Sequence, residues 1–319
     1  MSTIYDVAAL AQVSPATVSR VINGSSVSPE KAERVRAAAE ELSFVPNRTA
    51  RSLRRRSSNM IALVIPDIEN PFFTVIARGV EDRAREAGYS VVLCNTDEDS
   101  TKEAAYFDIA VLEHMAGVIV APASDASDLD RIASAGRPLV AVDRRSHDRR
   151  VDSVVIDNPA AGREATEALI AQGRRRIACI TGPESVETAQ LRLEGWRSSM
   201  TAHGLDTAGL ERHADFRVLG GRAAMRELLA LPQPPDAVVA TNNMMAIGAL
   251  QALHEGGIRS GDIAVASLGD LPSAPVMPEN TLVIDLPARA LGITAAEVLL
   301  RRIAGTESAP ETIVLGTGD

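Results

Sequence analysis

Ser14-Pro15-Ala16-Thr17-Val18-Ser19-Arg20-Val21-Ile22 packs three hydroxyls, two small apolar groups and a guanidinium into one short stretch. An arginine can donate two parallel hydrogen bonds to a guanine edge, while proline and alanine carbons suit thymine methyls and pyrimidine edges. Ser14 and Thr17, beside a helix N-terminus, can hold phosphate. Farther along, Arg192 is a rigid fork of donors suited to vicinal hydroxyls or a carboxylate. Asn70-Pro71-Phe72-Phe73 joins a helix start to an aromatic wall, although Phe73 reads equally well as core.

Three short helices have to position the first set. Thr3 and Asp6 have the spacing of a capping box, followed by Val7, Ala8, Leu10 and Ala11 as an apolar stripe ending near Gln12-Val13. Ser14-Pro15 starts a second helix that Asn23-Gly24 stops, and Ser28-Pro29 starts a third running to about Ser43, with Ala32, Val35, Ala39 and Leu42 on one face. Two short helices across a tight turn, backed by a third, form a helix-turn-helix whose second helix can enter a major groove. Val18, Val21 and Ile22 then face the core, and Pro15, Ala16, Ser19 and Arg20 face outward. On spacing alone, a small helical bundle without DNA remains open.

Charge separates this head from the rest. Residues 1–58 hold nine Lys or Arg against five acids, a net of +4 within a chain whose formal net charge is −9, so the remainder carries −13. A basic head on an acidic body confines contact with a polyanion to one end. No apolar run approaches the roughly 18 residues of a membrane span, and the N-terminus lacks the features of a signal peptide, so a cytoplasmic protein is expected. Cys94 and Cys179 sit in apolar runs and read as buried reduced thiols.

The segment TIYDVAALAQVSPATVSRVINGSSVSPEKAERVRAAAEELSFVPNRTARSLR resembles, residue for residue over most of its length, the DNA-binding head of the LacI/GalR (lactose/galactose repressor) family. The resemblance implies phosphate contacts at Ser14 and Thr17 and base readers at Pro15, Ala16 and Arg20. Thr3, Tyr5, Ser19 and Asn23 complete the expected head contacts. On the bare sequence, Asn47-Arg48-Thr49-Ala50-Arg51-Ser52-Leu53-Arg54 is a short helix-capable segment with three arginines and one outward leucine. The resemblance makes it a hinge helix for the minor groove, with contacts at Asn47, Arg48 and Ala50 and with Leu53 wedged into a base step. So short a helix is marginal alone and should form only with DNA and a partner hinge.

From about Asn59 short apolar strands alternate with amphipathic helices: Ile61–Ile65, Ser90–Cys94, Gly117–Ala121, Leu139–Val142, Ser153–Ile156, Ile177–Ile180, Ala237–Ala240, Ile263–Ser267, Thr281–Ile284 and Thr312–Leu315. The pattern implies an α/β body of parallel sheets, divided into two lobes with a ligand cleft beyond the strand ends. Residues 66–73, 95–99, 172–177, 192–196 and 242–248 resemble the same family, implying a type I periplasmic-binding-protein-like core. The expected organisation is a helix-turn-helix domain at 1–46, a hinge and linker at 47–58, and a two-lobed body at 59–319. Lobe 1 is placed at about 59–156 and 287–304, and lobe 2 at about 157–284 and 306–319.

By resemblance, Arg192 contacts effector, Asp143 and Asn242 match ligand positions of sugar-responsive members, and Phe216 matches a position where an aromatic packs on ligand. With Asn70, Phe72, Phe73 and Asp270 they form the expected effector set. On the residues alone, Asp143 beside Arg144 and Arg145 also reads as a surface ion pair, and Asp97-Glu98-Asp99 as a solvated loop. Asn242-Asn243 replaces the usual Asn-Asp, and Ser267-Leu268-Gly269-Asp270 puts a glycine where a carboxylate typically accepts sugar hydroxyls. Asp285-Leu286-Pro287-Ala288 departs from the usual basic-Gln-Pro-Leu. A larger, less hydroxylated or differently oriented ligand, or loss of effector control, follows from these departures.

Phosphate-loop, dinucleotide, zinc-protease and nucleophile-elbow motifs are all missing. His114, His147, His203, His213 and His254 are scattered. No enzyme, metal or cofactor is therefore expected. The expected function is that of a homodimeric repressor on a palindromic operator, controlled by a sugar, nucleoside or related metabolite. Alternatives are a regulator under no small-molecule control, one with a protein co-effector, and a sugar receptor without DNA function.

Overall fold

The computed structural model describes residues 2–22, 26–44, 58–124, 127–259, 261–271 and 281–318. Its contacts divide the chain into two units, Met1–Ser57 and Ser58–Asp319. Asn23, Gly24 and the whole hinge segment, with Asn47, Arg48, Ala50 and Leu53, lie outside the described residues.

In the first unit α1 spans Ile4–Leu10, α2 Pro15–Ile22 and α3 Pro29–Glu41. Thr3 and Asp6 close a reciprocal capping box at the start of α1. Gln12 takes a left-handed φ of 54°, and Val13 N–H then reaches back to the Ala8 carbonyl, which turns the chain into α2. Val7, Ala8, Ala11, Val18, Val35 and Ala38 form the core, with Val21 and Ile22 packed against it. Two expectations fail locally. Leu10 is 44% exposed, one position beyond the face that Val7 and Ala11 bury. Ser28 holds the cap position of α3 without a side-chain cap bond.

The second unit contains two all-parallel sheets. The first, ordered β11-β5-β4-β3-β1-β2, is built from β1 (Met60–Ile65), β2 (Ser90–Asn95), β3 (Gly117–Val120), β4 (Leu139–Val142), β5 (Asp152–Ile156) and β11 (Thr312–Leu315). Between them run α4 (Pro71–Glu86), α5 (Ser100–Leu112) and α6 (Asp130–Ser134), and α11 (Ala288–Ile303) packs against α4 and β3 to β5. The second, ordered β10-β9-β8-β6-β7, holds β6 (Ile177–Thr181), β7 (Glu211–His213), β8 (Ala237–Ala240), β9 (Ala264–Leu268) and β10 (Thr281–Ile284). Its helices are α7 (Asn158–Ala171), α8 (Glu187–Ala202), α9 (Val218–Leu229) and α10 (Asn243–Glu255). Strands β3, β4, β5, β6, β8 and β9 are buried along their whole length, as parallel strands covered on both faces must be.

The chain enters the second lobe between β5 and α7 and returns between β10 and α11. One placement is corrected: the terminal segment expected in lobe 2 supplies β11, which pairs in parallel with β5 of the first sheet. Asp152 fixes it there. Its carboxylate accepts the Glu311 N–H at 2.9 Å and a two-pronged bond from Arg302 at 2.8 Å to each oxygen, tying β5, α11 and the start of β11 together.

Candidate functional site

In the head, α2 shows the expected division of faces. Val18 is fully buried, Ala16 and Arg20 are exposed, and Pro15 and Ser19 are partly so. Ser14 Oγ accepts the Thr17 N–H at 3.2 Å and lies 3.0 Å from the Thr17 hydroxyl, so the two expected phosphate holders share a hydrogen bond at the helix start. Thr3 is exposed and committed to its cap, where its backbone and hydroxyl bonds hold the Asp6 carboxyl below the usual carboxylate range. Tyr5 is 71% exposed. These positions present hydroxyl, methyl and guanidinium groups to solvent on the elements that a groove requires.

In the body, a cleft of about 580 Å³, its open mouth included, lies beyond the carboxyl ends of the strands of both sheets. Lobe 1 contributes Asp67, Asn70, Phe72, Phe73, Glu98, Asp143 and Arg144; lobe 2 contributes Thr188, Arg192, Asp215, Phe216, Arg217, Asn242, Asn243, Leu268 and Gly269, and the crossover contributes Leu286. Asn70 caps α4 by accepting the Phe72 N–H at 3.0 Å, which sets the two phenyl rings edge to face with centroids 5.3 Å apart. Phe73 is both wall and core: it lines the cleft and is 6% exposed.

Asp143 follows β4 with a φ of 65°, and Phe216 follows β7 with a φ of 63°. Left-handed backbone at non-glycine residues costs on the order of 1–3 kcal/mol each and persists where the surroundings enforce it. Here the turn brings both side chains to the cleft. The Phe216 ring lies against Gly182, where a Cβ would overlap ring atoms. Asp143 is 4% exposed, and its Oδ1 has no hydrogen-bond partner among the described residues. Burial pushes its carboxyl above the usual range, opposed by the Arg192 and Arg144 guanidiniums. Arg192 is buried, which lowers its affinity for the proton against the pull of Asp143. Its Nε donates to Asn158 Oδ1 at 2.7 Å and Nη1 to the Thr241 carbonyl at 2.8 Å, leaving Nη2 for a ligand. Gly162 of α7 allows this reach, since a Cβ there would overlap the Arg192 carbonyl.

Glu98 and Arg144, outside the expected effector set as are Asp67, Thr188, Asp215, Arg217, Asn243, Leu268, Gly269 and Leu286, complete the wall. Arg144 grips Glu98 through Nη1 at 2.7 Å and Nη2 at 2.6 Å and also holds the Pro122 carbonyl at 2.9 Å. Glu98 lines the cleft while it and its neighbours Asp97 and Asp99 stay exposed, as a solvated loop should, and Arg144 pairs with Glu98 rather than with Asp143. Asp270 is corrected as well. It is exposed and does not line the cleft, because Gly269, with φ of 90°, turns the chain away and lines it instead. Asn242 lines the cleft yet spends Oδ1 on the Met245 N–H and Nδ2 on the Phe216 carbonyl, both at 2.8 Å.

A helix-turn-helix head and a two-lobed, cleft-bearing α/β body in one chain define a regulator of the ligand-sensing class. Residues 3–47 match the family described as "Bacterial regulatory proteins, lacI family", and residues 58–315 match "Periplasmic binding proteins and sugar binding domain of LacI family". The chain belongs to the LacI family. It is 37% identical over 308 residues to the ribose operon repressor of Escherichia coli (strain K12), covering 95% of this chain and 93% of that one. A lac repressor dimer bound to operator and the anti-inducer ONPF superposes with a TM-score of 0.86 at 29% identity, covering 98% and 96% of the two chains. A transcriptional regulator CelR–cellobiose complex does so with a TM-score of 0.75 at 34% identity, covering 99% and 97%.

Proposed function

We propose that this chain is a sequence-specific DNA-binding transcriptional repressor, working as a homodimer in the cytoplasm on a palindromic operator, with its DNA affinity set by a small sugar-like effector in the cleft. The observation that carries this reading is the coexistence, in one chain, of an exposed Arg20 on α2 and a buried, partly unsatisfied Asp143 facing Arg192. The first can read a base edge; the second needs a ligand hydroxyl. We read the cleft as a binding site without catalysis. Dimerisation has apolar surface available in Ile109 and Leu112 of α5, 45% and 74% exposed. Residues 47–58 act as the hinge, with Leu53 as the minor-groove wedge. Lobe closure around the effector changes hinge spacing, so a ligand with unequal affinity for the two conformations shifts operator occupancy.

Selection of genomic fragments by the purified chain at moderate salt tests the reading. Enrichment of a dyad-symmetric sequence is expected. Arg20→Ala should relax preference at one position per half-site by about 1–3 kcal/mol. Fragments bound no better than random competitor would overturn the proposal.

A further inference from the structure

The nature of the effector can be narrowed, on the premise that the cleft is an effector site, because its two ends offer very different hydrogen bonding. At the end formed by β4 and α8, Asp143 Oδ1 is buried without a partner among the described residues, and Arg192 has Nη2 left after serving Asn158 and Thr241. Thr188 lines the same end. At the end beyond β9 and β10, and along the start of α10 that leads to it, the polar groups of Asn242, Asn243 and Gly269 are engaged within the protein; Asp67, Glu98, Arg144, Asp215 and Arg217 are the other charged groups of the lining. Asn242 serves the Met245 N–H and the Phe216 carbonyl. Asn243 accepts the Met244 N–H at 2.9 Å and donates to the Asp270 carbonyl at 3.2 Å. Gly269 donates its N–H to the Ile284 carbonyl and receives the Ser267 hydroxyl on its own carbonyl, both at 2.9 Å. Leu268 and Leu286, both buried, fill the wall between them.

A ligand hydroxyl at the first end exchanges water for a charged acceptor and a charged donor. At the second end it loses water and meets hydrocarbon, which costs the desolvation of an unpaired polar group. Among the described residues, space there is open: the nearest atom to a Cβ built on Gly269 is 3.8 Å away, on Asn243. We propose that the effector is a deoxygenated sugar, whose vicinal hydroxyls meet Asp143 and Arg192 while a methylene or methyl edge rests against Leu268, Gly269 and Leu286. The Phe72, Phe73 and Phe216 rings cover the C–H faces between these edges.

Titration calorimetry on the full chain with three matched pairs tests this: L-rhamnose against L-mannose, L-fucose against L-galactose, and 2-deoxy-D-ribose against D-ribose. In at least one pair the deoxy sugar should bind about ten- to a hundredfold more tightly than its parent, the scale on which an apolar wall rejects an added hydroxyl. Leu286→Gln, which restores a donor and an acceptor, should cut that ratio to about threefold or less. Parents binding as well as, or better than, their deoxy partners in all three pairs would overturn the deoxygenated class while leaving a sugar sensor intact. Binding of none of the six would remove both.

Discussion

Asp143, a proposed binding residue, is placed at a cost to the fold. Its carboxyl is pushed above the ordinary range because burial outweighs two nearby guanidiniums. A folded-state pKa above the unfolded value means that this group favours folding most below the unfolded pKa, near 3.9, and progressively less as pH rises through the folded pKa. Asp143→Asn should therefore stabilise the ligand-free chain by about 1 kcal/mol at pH 7 and by nearly nothing near pH 3, while abolishing sugar binding. Paired thermal melts and titrations at the two pH values check both halves, and destabilisation at pH 7 would reverse the assignment. Gly182→Ala should displace the Phe216 ring and weaken ligand roughly tenfold with little change in melting temperature, since the ring moves towards the open cleft. The wall residues legible as types at strand ends or by resemblance were Asn70, Phe72, Phe73, Asp143, Arg192, Phe216 and Asn242. Glu98 and Arg144 were not, because their bond spans 46 residues and no local pattern announces it. Asp270 was misplaced because a carboxylate beside a glycine looks like a ligand until the left-handed turn at Gly269 is seen.

Elements were easier to read than their partners. Ten strands announced themselves as apolar runs, whereas β7, Glu211-Arg212-His213, is three polar residues on an edge and carries no alternation. The segment around β11 was legible as a strand but not as a member of the first sheet; a run such as Thr312–Leu315 suits either lobe, and the choice is made by Asp152, Arg302 and the Glu311 N–H. Burial alone would raise the Asp152 pKa, but the Arg302 fork and the Glu311 N–H outweigh it and hold the carboxyl below the ordinary range. With its folded pKa depressed, Asp152 adds stability above the unfolded value near 3.9, which is lost as pH falls through the folded one. Asp152→Asn should cost about 3 kcal/mol at pH 7, with the deficit shrinking as pH falls below about 4; denaturant titrations across that range measure it. Similarly, Gly162→Val should force α7 and α8 apart and weaken ligand through Arg192 without touching the cleft itself.

On the scale of the whole molecule, the proposed function divides the work between a basic head for a polyanion and an acidic body for a small ligand. The head's contacts with phosphate release counterions, so operator affinity should fall roughly a hundredfold or more between 50 and 200 mM salt, while sugar affinity stays nearly constant. Coupling between the two sites is a single free energy, and it is reciprocal. On the proposed assignment it depends on the Asp143–Arg192 end of the cleft, while base reading depends on α2, so a change in the cleft should alter the response without altering the sequence that is read. The most direct measurement is the dissociation constant of the full chain for its selected palindromic fragment, with and without a saturating cleft ligand, in the parent and in Asp143→Asn. A shift of about tenfold or more in the parent, and none in the variant despite unchanged ligand-free affinity, is expected for effector control. Equal DNA affinity with and without bound ligand in the parent would contradict it.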